Sequence, residues 1–229
     1  PGGTAGPAFV EADRRGAAAF AEAARRGGQR VVYLGALGRE DNPSAHLRSR
    51  QEVGRILRDG ADTVELKAAI VIGRGSASFE IMRQLVDRLA VMVCPRWVTT
   101  RCQPIALPDV IRYLIGVLEA PEAAGTIYDV GGPEIVRYVD MLKVVARVQN
   151  RRWLPVVTLP LLTPQLSSMW LALVTDVDIP TARNLVDSMT NEVIVRDDAI
   201  RKLVPGEPMG YEDAVRLALA DRRAANAVE

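Results

Sequence analysis

Three short runs rich in β-branched and aromatic residues each stop at glycine, and segments of helical period separate them. Arg30 to Leu34 (RVVYL) closes at Gly35, Thr63 to Ile72 (TVELKAAIVI) at Gly73-Arg74-Gly75, and Thr126 to Val130 (TIYDV) at Gly131-Gly132. Runs rich in such residues and closed by glycine suit strands buried on both faces, the condition of a parallel sheet. Ahead of the first run, Phe9, Ala12, Ala17, Phe20 and Ala24 recur at helical spacing until Gly27-Gly28. A second helix is expected from Ser44 to about Arg58, a third over Phe79–Leu89, a fourth from the first-turn proline Pro108 to Leu118, and a fifth over Tyr138–Gln149. Strand, helix, strand in succession is the βαβ signature, so the sequence predicts an α/β fold with a parallel sheet. Beyond residue 150 prolines break the pattern into helical pieces near Gln165–Val174 and Pro180–Met189, a strand at Glu192–Val195, and helices at Asp197–Leu203 and Tyr211–Ala220. The expected organisation is a sheet-bearing domain over residues 1–150 and a smaller, mostly helical cap over 151–229.

Composition narrows the function classes. Lys plus Arg number 29 against 28 Asp plus Glu, which gives no basic field of the kind nucleic-acid binding demands, so no nucleic-acid partner is expected. Cys94 and Cys102 lack the spacing of a zinc or redox site, and reduced structural thiols are expected with no metal. The most apolar stretch, Trp153 to Val177, is interrupted by Pro155, Pro160 and Pro164, which argues against a membrane span. No cationic leader precedes an apolar run at the start, and a cytoplasmic location is the default expectation.

In open parallel sheets ligands collect beyond the carboxyl ends of the strands, here the loops after Leu34, Ile72 and Val130. Glycine at each exit means either close approach to a ligand or a tight passage of the chain. The ordered pieces RVVYLGALG, HLRSRQEVGRIL, LKAAIVIGRGS, QPIALPDVIRYLIGVLEAP and TIYDVGGPE resemble the atypical short-chain dehydrogenase/reductases, in the NAD(P)-dependent epimerase/dehydratase-like branch with its NAD(P)H-binding regulators. The resemblance covers residues 8–150. It implies a Rossmann-like sheet, NAD or NADP as cofactor, a small-molecule substrate, and oxidoreductase or epimerase-like activity.

The same resemblance assigns roles residue by residue. The family's chemistry uses a strand-end serine, a tyrosine acting as general acid/base, and a lysine four residues later that holds the nicotinamide ribose. Here the strand ends in Gly35-Ala36-Leu37, and His46 and Arg50 stand in the tyrosine and lysine places, still on one helix face. Arg50 is expected to bind ribose hydroxyls without titrating. His46, the single histidine, is either the proton carrier or a solvated surface residue. The resemblance makes Gly35, Ala36, Lys67, Ala68, Ala69 and Ile70 neighbours of the nicotinamide, with a buried strand and turn as the other reading of Lys67–Ile70. It makes Gln103–Asp109 the substrate-side segment, where Asp109 either contacts substrate or favours the dipole of the helix it begins. Met169 and Trp170 are expected to line either a hydrophobic pocket or the core, with core packing the simpler reading. Asp197-Asp198 is read as a helix cap in preference to a metal site.

The family's glycine-rich phosphate turn has no counterpart. PGGTAGP at Pro1–Pro7 follows no strand, so the sheet is read as incomplete at its N-terminus, with further strands expected upstream. Half a sheet exposes a strand edge that invites pairing, so a homo-oligomer formed through that edge is a further expectation. Loss of serine, tyrosine and lysine together keeps a second reading open, a non-catalytic protein that senses dinucleotide or supports an assembly on the same fold.

Overall fold

A computed structural model describes residues 7–38, 45–151, 155–159, 169, 171–176 and 179–226. In α1 (Pro7–Gly27) the small residues Ala17, Ala21 and Ala24 share one face and are buried against Val31 and Leu57. The helix stops where the double glycine permits. Gly28 takes φ +61°, and the N–H groups of Gly28 and Gln29 donate to the carbonyls of Arg25 and Ala24 at 3.3 and 2.9 Å, the pattern of a Schellman cap. β1 (Val31–Ala36), α2 (Ala45–Gly60) and β2 (Thr63–Ala68) follow as the expected strand, helix, strand unit.

The expected strand Thr63–Ile72 is two strands, a correction with a clear cause. At Ala68 the carbonyl still accepts from Leu37 of the β1 side at 2.8 Å, whereas at Ile70 it accepts from Ile105 at 2.9 Å. The chain changes partners between them, and Val71–Ile72 is a separate strand, β3. The described chain continues with α3 (Ala77–Arg88), β4 (Met92–Pro95), β5 (Arg101–Cys102), β6 (Ile105–Ala106), α4 (Leu107–Glu119), β7 (Ile127–Val130), β8 (Val136–Arg137), α5 (Tyr138–Val148), β9 (Val156–Leu159), α6 (Ile179–Met189), α7 (Ala199–Leu203) and α8 (Tyr211–Asn226).

The main sheet is parallel, in the order β1-β2-β7, with Ala36 opposite Ala68 and Ala68 opposite Val130 at its carboxyl end. Its central strand alternates between two environments. Val64, Leu66 and Ala68 are buried with Val110, Tyr113 and Val117 of α4, while Thr63 and Glu65 are buried on the side of α2. Three small pairs complete the strands: β3 with β6 and β4 with β9 in parallel, and β5 with β8 antiparallel. Around them Phe79, Val86, Met141, Val145 and Val215, all fully buried, form the largest core cluster, which draws residues from both sides of residue 150.

The expected strand Glu192–Val195 reduces to a single bridge between Val193 and Cys102. Its next backbone donor, the N–H of Val195, is taken by the Gln103 side chain at 3.1 Å instead of a strand partner. Core packing does not hold for Met169, which is 58% exposed, and Trp170 lies outside the described residues. Among the described residues no helix is long and apolar enough to cross a membrane.

Candidate functional site

The carboxyl ends of β1 and β2 bring the expected cofactor neighbours together. Gly35 stands opposite Lys67 and Ala36 opposite Ala68, with Ala69 and Ile70 continuing the exit of β2. Gly35 and Ala68 are buried, whereas Ala36, Lys67, Ala69 and Ile70 are half-buried and form the accessible part of the patch. Arg50 of α2 meets β1 at Tyr33. Its carbonyl accepts the Tyr33 hydroxyl at 3.2 Å, and its guanidinium is exposed. Burial pushes the Tyr33 phenol up from its ordinary range, opposed by the neighbouring Arg50 charge. His46 belongs to the first turn of α2, one turn before Arg50, and its side chain lies outside the described residues.

Asp129 is a member of this patch that sequence reasoning passed over. It stands opposite Lys67 on β7, half-buried, and its carboxylate accepts from the Arg196 N–H at 3.4 Å. Burial raises its pKa, against the pull of Arg196 and Lys67. The signal was present as an acid inside the apolar run TIYDV. Glu65 in TVELKAAIVI carries the same signal and is 1% exposed.

The glycines at the strand exits are explained by chain packing. A Cβ on Gly35 would lie 2.7 Å from the Glu65 carboxylate, one on Gly73 2.5 Å from Leu107, and one on Gly131 2.6 Å from Val195. Each space is filled by protein, which leaves these glycines only their backbone to offer a ligand. At Gly73-Arg74-Gly75 the following helix is closed by its own cap: Ser76 accepts from the Phe79 N–H at 3.5 Å and donates to the Val71 carbonyl at 2.7 Å.

The substrate-side segment is braced from within. Gln103 donates to the Gly132 carbonyl at 2.7 Å while accepting from Val195, which ties the exit of β7 to the segment before α7. Asp109, 6% exposed, accepts from the Met209 N–H at 2.8 Å and from Arg112 at 2.9 Å, which anchors the loop before α8 to α4. Asp197 accepts from the Ala199 N–H at 2.9 Å, so the acid pair does begin α7, although the side chain of Asp198 makes no capping bond. Both cysteines are free and buried.

No family model matches the chain, and neither does any curated protein sequence. Solved structures do match in fold. A UDP-glucose 4-epimerase from Thermotoga maritima with UDP-glucose superposes with a TM-score of 0.70 at 12% identity, over 95% of this chain and 71% of that one. For a dTDP-4-dehydrorhamnose reductase from Bacillus anthracis in complex with NADP the values are 0.67, 11%, 91% and 71%. A short-chain dehydrogenase/reductase superfamily protein from Agrobacterium tumefaciens with bound NAD gives 0.61, 15%, 96% and 76%. At these identities the likeness is one of fold, and the fold is Rossmann-like α/β.

Proposed function

We propose that the chain forms the nicotinamide-side portion of an NAD(P)-binding protein of the oxidoreductase or epimerase type, acting on a small-molecule substrate. One observation carries the reading. Half-buried Ala36, Lys67, Ala69 and Ile70 meet at the carboxyl ends of adjacent parallel strands, where open α/β sheets take ligands, in a fold whose solved examples include structures with NAD and NADP. The residues fit the nicotinamide and its ribose: Ala36 and Ala69 at the strand ends are small enough to admit a flat ring, and half-buried Lys67 on β2 and exposed Arg50 on α2 are the cations nearest in the fold to assign to the ribose. The nicotinamide, when bound, supplies the two-electron chemistry.

In this reading Arg50 orients the ribose through its guanidinium donors. His46, one turn earlier on the same helix face, holds or accepts the substrate proton near neutral pH. Lys67 stands opposite Asp129 across the strands, and its charge opposes the burial that raises the Asp129 pKa. The test is a fluorescence titration with NADPH and NADH, on the protein expressed with any residues that precede Pro1 in its natural polypeptide, followed by turnover of the His46→Ala variant. Binding of either nucleotide, with turnover lowered about 100-fold or more in the variant, is the expected result. Failure of both nucleotides to bind refutes the reading. Binding with unchanged turnover removes His46 as the proton carrier.

A second reading is favoured by the strand end itself. Gly35-Ala36-Leu37 carries no hydroxyl to polarise a substrate, and a protein that binds dinucleotide without turning it over needs none. Tight nucleotide binding with no turnover of any sugar-nucleotide or carbonyl substrate would select it.

A further inference from the structure

Glu65 is the most deeply buried charged group among the described residues, and the chemistry proposed above does not use it. It points from the central strand β2 into the seam between β1 and α2 and forms an ion pair with Arg58 of α2, with side-chain exposures of 2% and 24%. The seam is shaped around the carboxylate. A Cβ on Gly35 would lie 2.7 Å from one of its oxygens, and a Cβ on Gly54 2.6 Å from the other. Two glycines on two different elements thus make one socket.

Stability alone does not call for such a socket. Burying a carboxylate is costly, and an apolar side chain of similar volume in a closed seam does as well or better. What the pair supplies is register. The apolar inward contacts of α2, made by Val53, Ile56 and Leu57 against the alanines of α1 and Val31, are small and smooth, and fix the helix's distance from its neighbours better than its position along its own axis. The polar contacts fix that position. Towards α1, Ser49 donates to Asp13 at 2.9 Å and Glu52 accepts from Arg14 at 2.7 Å. Towards the sheet, Tyr33 donates to the carbonyl of residue 50, Thr63 to that of Leu57 at 2.9 Å, and Glu65, the contact seated deepest, accepts from Arg58. A slip of one residue moves a helix by about 1.5 Å and turns it by about 100°. That turn would carry position 50 away from Tyr33, and position 46 with it. Arg58 stands two turns beyond Arg50 and three beyond His46 on the same rigid helix.

We infer that the Arg58–Glu65 pair, seated between Gly35 and Gly54, is the positioning device that sets where the first two turns of α2, carrying His46 and Arg50, stand beside β1, and through them the affinity for the nicotinamide ribose. The inference rests on the function proposed above. In this role Arg58 and Glu65 are positioning residues, and Gly35 and Gly54 give their ion pair its space.

The test removes both charges at once with Glu65→Met and Arg58→Met, so that no unpaired charge is left in the seam. Two readouts follow: NADPH affinity by fluorescence, and the distance distribution between nitroxide labels at Arg55→Cys on α2 and Asp87→Cys on α3, by pulsed electron paramagnetic resonance. The expected double variant melts within a few degrees of the parent, shows a shifted or broadened distribution, and binds NADPH about tenfold to a hundredfold more weakly. A folded double variant with the parent's distribution and affinity overturns the inference. Should it fail to fold, Glu65→Gln, which keeps the shape and an acceptor for Arg58, is judged by the same two readouts. If the parent itself binds no nucleotide, the proposed function fails, and the label distances alone decide whether the pair sets the helix register.

Discussion

At Gly132 the backbone approaches a neighbour so closely that a side chain has no place. A Cβ there would lie 2.4 Å from the Pro104 carbonyl oxygen, and the same glycine's N–H donates to that oxygen at 2.9 Å. The obstacle is backbone, so no rotamer relieves it. Gly132→Ala is expected to cost about 1–3 kcal/mol, the range for overpacking a filled site, read as a lowered midpoint in urea unfolding. Gly28 differs: it has open space around it, and its need is the left-handed φ alone. Both pairs read the same in sequence, as a double glycine after an element, yet one serves close approach and the other a helix end. At the candidate site the residue-level signal was partly readable. Gly35, Ala36 and the Lys67–Ile70 run fall at strand ends as their order implies, whereas Asp129 and Glu65 were readable only as acids misplaced in apolar runs.

Between elements, the contacts that matter most join segments distant in sequence. β4 and β5 deliver Cys94 and Cys102 to the core that α5 and α8 close with Tyr138 and Tyr211. Burial pushes the thiols up from an ordinary value of 9.0 to about 11 at Cys94 and about 12 at Cys102. Burial likewise raises both phenols above their ordinary value of 10.0. An acid whose folded pKa is raised binds its proton more tightly in the fold, so its contribution to stability is complete below the unfolded value. That contribution is lost as pH rises through the folded one. The protein is therefore expected to lose stability from about pH 9 upward, at up to about 1.4 kcal/mol per pH unit for each thiol. Urea unfolding at pH 8 and pH 10.5 measures the loss, and Cys102→Ala is expected to flatten it. An unchanged midpoint across that interval would show that the thiols reach solvent. β4, β5, β8 and β9 escaped the sequence because each is at most four residues long and is stabilised by a partner elsewhere in the chain. A strand of two residues has no periodicity to read.

For the molecule as a whole, the main sheet has two edges among the described residues, β1 and β7, each paired with β2 and with no other strand. At β1, Val32 and Leu34 pack against the α4 side only in part, whereas β7 is backed at Asp129 by the N–H of Arg196. Unpaired backbone groups beside half-buried apolar side chains are a template for another strand. The 229-residue polypeptide is expected to associate as its concentration rises, with a second copy pairing at β1, and light scattering over a dilution series tests it. A monomer at every concentration would rule that pairing out.

The parallel α/β class, the place and order of the principal helices and strands, and the glycines at which the strands end were already written in the local sequence. Those properties are local: each follows from the period of apolar residues within one segment and from where glycine or proline interrupts it. Only the tertiary structure decided that the run after Thr63 divides between two sheets, that the strand-exit glycines are filled by protein, and that Glu65 and Arg58 meet in a closed seam. These depend on which segments become neighbours, and that is set by hydrogen-bond partners and packing across separations that no local pattern encodes.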